Sequence, residues 1–82
     1  MPTVFERDGF RFFFYSADYK EPMHIHVEHG DGKAKFWLRP VHLASSYRMK
    51  GSDLKKARTL IEQNQKLCEE KWNEYFSQSP RN

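Results

Sequence analysis

The chain has 82 residues, a formal net charge of +3 and 16% aromatic residues, enough for one small domain with a ring-rich core. Its single cysteine, Cys68, excludes an internal disulfide, and no apolar run approaches the length of a spanning helix. No hydrophobic leader follows Met1, so a cytoplasmic location is expected.

Residues 3–7 and 10–15 are rich in β-favouring side chains and are separated by Asp8-Gly9, a two-residue hairpin turn signal. Closing the chain there sets Phe5 opposite Phe12 and Glu6 opposite Arg11. Alternate strand residues point to opposite faces, so Phe10, Phe12 and Phe14 form a core stripe while Arg11, Phe13 and Tyr15 face the other way. Residues 16–22 read as a polar, mobile connection ending in Pro22.

A second hairpin follows, with strands over residues 23–29 and 33–39. Met23, Ile25 and Val27 share one face, and His24, His26 and Glu28 share the other. A turn at Asp31-Gly32 sets Glu28 opposite Lys35, His26 opposite Trp37 and His24 opposite Arg39. The same register sets Val27 against Phe36 and Ile25 against Leu38. One face is therefore apolar, and its reverse carries imidazoles, cations and an indole.

Residues 40–50 favour a short fifth strand or an extended arm. A helix is predicted from Ser52, as N-cap, to Phe76, with Asp53 complementing its positive end. Leu54, Ala57, Leu60, Ile61, Leu67, Cys68, Trp72, Tyr75 and Phe76 recur at three- and four-residue steps along one stripe. At 1.5 Å per residue such a helix outreaches a small sheet, so its aromatic end near Trp72 is expected to overhang. Residues 77–82 lack periodicity and are expected to fray. The whole reads as a single α+β domain over residues 1–82: an antiparallel meander of four strands, or five with the short one, under one long helix. Phe12, Ile25, Val27, Phe36, Leu38, Leu60, Ile61 and Leu67 are its expected core.

Met1-Pro2-Thr3-Val4, the Phe-rich second strand, Glu21-Pro22-Met23-His24-Ile25-His26-Val27 and Trp72-Asn73-Glu74-Tyr75-Phe76 resemble the small bacterial and archaeal proteins of domain-of-unknown-function family 4160. The resemblance runs from residue 2 to about residue 76. Met23 stands where the second proline of that family's Pro-Pro-His-x-His signature would be. The resemblance implies a bacterial context, a small companion protein of the antitoxin kind and a toxin-like role in a toxin–antitoxin module. It carries no catalytic residues.

Two chemistries suit the polar face. Histidine titrates near neutrality, so His24 and His26 are candidate general acid and base for metal-independent cleavage of RNA. Arg11, Lys35 and Arg39 would then hold phosphate, and Tyr15 and Trp37 would stack bases. No cofactor is expected on this reading. The weaker alternative is a metal ion on His24, His26 and Glu28, with neighbouring cations opposing it. A non-enzymatic module is the competing function, binding a protein partner or a second copy through the His/Trp face or the aromatic helix end. Cys68 lies on the apolar stripe and reads as core. The acidic residues interspersed along the helix argue against a membrane-surface role.

Overall fold

A computed structural model describes residues 3–76; the expected fraying of residues 77–82 lies outside the described residues. Five strands, β1 (Thr3–Arg7), β2 (Phe10–Phe13), β3 (His24–His29), β4 (Gly32–Leu38) and β5 (Val41–Tyr47), form one antiparallel sheet in the order β1-β2-β3-β4-β5. A 3-10 helix (Ser16–Lys20) joins β2 to β3, and α1 (Gly51–Gln63) and α2 (Gln65–Phe76) follow the sheet. The fold is the α+β meander read from the sequence, with the fifth strand formed and the long helix divided in two.

Next to its turn the first hairpin has the predicted register, Phe5 opposite Phe12 and Glu6 opposite Arg11; a register shift between Thr3 and Phe5 then pairs Thr3 with Phe13, and β2 ends at Phe13, short of the expected Tyr15. Asp8 and Gly9 both take positive φ, 56° and 84°, as a type I′ turn requires. The second hairpin departs from expectation. Its turn is Gly30-Asp31, with Gly30 at φ 59°, and the pairs are His24 with Trp37, Ile25 with Phe36, His26 with Lys35 and Glu28 with Lys33. Gly32 explains the shift: a Cβ there would lie 2.6 Å from the Arg48 carbonyl oxygen. The strand must begin at this close approach, so the turn is made one residue earlier. Partners move by two residues, which preserves every face.

The helices cover the apolar face. Phe10, Phe12, Phe14, Ile25, Val27, Phe36 and Leu38 pack there with Ala57, Leu60, Ile61, Cys68 and Trp72. Burial of the expected core is as read, except that Leu67 is only half-buried. Rings dominate: Phe5 stacks on Phe12 at 4.3 Å between centroids, and Phe14 meets Trp72 edge-on at 5.3 Å. Trp72 is buried, and Phe76 also packs on Phe14. The aromatic end of the helix therefore belongs to the interior instead of overhanging.

Two helix boundaries also differ from the reading. α1 begins at Gly51, with Lys50 as its N-cap, so Ser52 lies inside the helix and makes no cap. Asn64 interrupts the helical stretch. Its backbone N–H donates to the Ile61 carbonyl, its side chain donates to the Leu60 carbonyl at 2.9 Å, and its own carbonyl accepts from the Cys68 N–H. A short amide side chain competes for backbone groups in this way, satisfying the end of one helix and the start of the next. The Gln65 side chain then donates to the Leu38 carbonyl, fixing α2 against the end of β4.

Candidate functional site

On the strand face that the apolar side chains leave, β3 presents His24 and His26 side by side, ring centroids 5.1 Å apart, with Trp72 of α2 reaching the His24 ring. The connection expected to be mobile is instead an ordered 3-10 helix lying beside them. It places Asp18, only 9% exposed, against both imidazoles. The local cause is a pair of bonds at the start of the turn: the Tyr15 N–H donates to Asp18 Oδ2 at 2.8 Å, which turns the carboxylate inward, and the Asp18 N–H donates to the Tyr15 carbonyl at 3.0 Å.

His24 is fully buried. Its Nδ1 lies 2.7 Å from the Pro22 carbonyl oxygen, and its Nε2 lies 3.2 Å from Asp18 Oδ1 without hydrogen-bond geometry. His26 Nε2 stands 3.1 Å from Asp18 Oδ2 and 3.2 Å from Oδ1. Burial pushes the His26 imidazole below its ordinary range, outweighing the upward pull of the Asp18 carboxylate. Aromatic rings wall the cluster: Phe13 and Tyr15 beside His26, Trp37 and Trp72 beside His24. One donor atom from each of Asp18, His24 and His26 falls within 4.8 Å of the others.

The cations read as phosphate contacts are distributed differently. Lys35 neighbours the cluster, donating to Glu21 and resting 4.6 Å over the Trp37 ring. Arg11 lies on the same face, bonded to Glu28 at 3.1 Å and stacked 4.2 Å over Phe13. Glu28 is thereby engaged away from the imidazoles, so the alternative ligand set of His24, His26 and Glu28 is not the one assembled. Arg39 lies beyond β4 and is drawn to Glu69 of α2. The structure thus gathers His24, His26, Tyr15, Lys35 and Trp37, keeps Arg11 alongside and separates Arg39. Asp18 is the member that sequence reading missed. Its signal is local, an acid three residues after Tyr15 at the start of a turn, where such side chains cap backbone.

Of the other histidines, His29 stacks on Phe10 with its Nδ1 3.0 Å from the Gly9 carbonyl oxygen, and His42 is exposed on β5. Cys68 is buried in the core, and burial raises its thiol to about 12, which leaves it protonated and unreactive.

No helix among the described residues is long and apolar enough to cross a membrane. The family model described as "Domain of unknown function (DUF4160)" matches residues 9–73. No curated protein and no solved structure matches the chain.

Proposed function

Since the chain belongs to the DUF4160 family, a membership that assigns no activity, we propose that it is a non-enzymatic interaction module that pairs with a second copy of itself along the outer edge of β5. The observation that carries this reading is the edge itself. β5 is seven residues long, Val41–Tyr47, contains no charged residue and is exposed from His42 onward. Natural sheets protect an edge with charge, proline or a short strand, because its unpaired N–H and C=O groups accept another strand. The opposite edge, β1, is shorter and carries Glu6 and Arg7. Leu43 and Tyr47, two of the large hydrophobic side chains left exposed, both lie on β5. An uncharged strand can lie antiparallel to its own copy without like charges meeting, which favours self-pairing over a charged partner.

The surfaces first read as docking sites are less available. The 3-10 helix lies against the His24 and His26 side chains, and the aromatic end of α2 is packed on Phe14. A ribonuclease role for His24 and His26 receives less support from the geometry, because His24 is fully buried and Arg11, Lys35 and Arg39 each hold a carboxylate.

Light scattering on size-fractionated protein tests the proposal. Twice the monomer mass is expected, reverting to monomer in a Leu43→Lys/Ser45→Lys double variant whose circular dichroism is unchanged. A wild-type chain that stays monomeric at high micromolar concentration overturns it.

A further inference from the structure

We propose that Asp18, His24 and His26 form a binding site for a single divalent first-row transition ion. The argument starts from the tautomer of His24. A carbonyl oxygen cannot donate, so the 2.7 Å contact with the Pro22 carbonyl requires a proton on Nδ1. Nε2 is then the atom left to meet a partner, and with the ring neutral it carries a lone pair. That atom is buried, lacks a hydrogen-bond partner and lies 3.2 Å from Asp18 Oδ1, which as a carboxylate oxygen can only accept. A neutral Nε2 and a carboxylate oxygen facing one another inside a protein call for a positive centre between them, a proton or a metal ion.

The surroundings suit a metal ion as that centre. His26 supplies a second imidazole, its Nε2 3.1 Å from Asp18 Oδ2, and the Asp18 carboxylate is the group that would offset the ion's charge. Asp18 Oδ1 lies 3.2 Å from each Nε2, close to the edge of a coordination tetrahedron, about 3.3 Å for bonds of 2.0–2.1 Å, and all three donor atoms fall within 4.8 Å of one another. A ligating histidine ordinarily donates its other ring N–H to a carbonyl or carboxylate, which fixes its tautomer and orientation; His24 already does so to Pro22. The ring walls of Phe13, Tyr15, Trp37 and Trp72 lower the local dielectric and strengthen the attraction between ion and carboxylate. Lys35, paired with His26 across β3 and β4, is held by Glu21, which blunts its repulsion of a bound ion.

Two imidazoles and one carboxylate select Zn²⁺ or Fe²⁺ over Mg²⁺, which prefers oxygen and water. Three protein ligands leave at least one position for water or a small ligand, the open arrangement of reactive sites in contrast to the closed four-ligand structural kind. The assignment is independent of pairing along β5, since none of its ligands lies on that strand.

Isothermal titration of the untagged chain, stripped with a chelator, tests the site with Zn²⁺, with Fe²⁺ under anaerobic conditions and with Mg²⁺ as comparison. Co²⁺ absorption reports ligand geometry. The expected result is one Zn²⁺ or Fe²⁺ per chain, a raised melting temperature with metal and no uptake of Mg²⁺. Asp18→Asn and His26→Gln should each weaken binding by more than about 10-fold, the low end of what even outer partners of a ligand cost. Glu28→Gln and His42→Gln should leave it unchanged. Asp18→Asn and His26→Gln both lie at the partly open side of the cluster, and their folding is checked by circular dichroism before titration. If neither ion binds stoichiometrically, or if the Glu28 or His42 variant loses binding while Asp18→Asn and His26→Gln keep it, the proposal is wrong.

Discussion

Arg39 and Glu69 form a two-pronged ion pair, Nε to Oε2 at 3.1 Å and Nη2 to Oε1 at 2.9 Å, that ties the end of β4 to α2. The guanidinium holds the Glu69 carboxyl below its usual range, with the Gln65 side chain adding to the effect. A carboxylate with a lowered folded pKa stabilises the fold above its unfolded value, and that contribution is lost as pH falls through the folded value. The ordinary value here is 4.5, so the affected window lies at and below it. Carbon-13 NMR of the side-chain carboxyl should show Glu69 titrating below 4.5 in the wild type. In Arg39→Gln its midpoint should move back up. An unchanged midpoint would mean that the pair does not persist in solution.

Ile25 and Leu60 face each other's layer in the core and are 0% and 4% exposed. Ile25→Ala or Leu60→Ala should cost about 2–5 kcal/mol in urea unfolding, the transfer of the lost methyls plus the cavity left behind. Leu67, on α2, is half-buried, so Leu67→Ala should cost clearly less than either. Equal losses at all three positions would contradict the packing described.

Two glycines should respond in opposite directions to the same substitution. A Cβ at Gly32 would lie 2.6 Å from the Arg48 carbonyl oxygen and 3.1 Å from the Met49 Cβ, so Gly32→Ala should destabilise by about 1–3 kcal/mol. At Gly51, the first residue of α1, nothing lies within 4 Å. Gly51→Ala should stabilise by about 0.4–1 kcal/mol by restricting the unfolded chain. Thermal melts of the two variants decide both signs.

Cys68, buried and with its thiol raised to about 12, should resist a thiol reagent at pH 8 in the folded state. Full reaction should appear only in denaturant. Prompt modification of the native chain would show that the interior around Cys68 opens readily.

The turn of the first hairpin and the pairs beside it were legible in the sequence because Asp8-Gly9 offers a single turn signal flanked by alternating side chains; the register shift near Thr3 and the end of β2 at Phe13 were not. Gly30-Asp31-Gly32 offers two overlapping signals, and the choice between them rests on the approach of the Arg48 backbone to Gly32, a long-range contact that no local pattern encodes. The faces were nevertheless correct, since a two-residue shift keeps parity. Asn64 hid inside a regular apolar stripe, because the stripe continues on both sides of the interruption. In the site, the His24/His26 pair was visible as an alternation. Asp18 was not, because a 3-10 turn imposes no long periodicity and its meeting with β3 depends on how the connection folds back.

The sequential strand order has a kinetic consequence. Each strand pairs only with its neighbour in the chain, so the four ladders can zip from one hairpin to the next without a distant strand having to find its place. Isolated hairpins close in about 1–10 μs, and topologies rich in such nearby pairings fold quickly. The slow search is left to α1 and α2, which must cross back over a sheet whose phenylalanines face water until the helices arrive. Refolding should therefore register strand formation first, and the change in Trp72 fluorescence as the ring packs on Phe14 and leaves water should mark its final step.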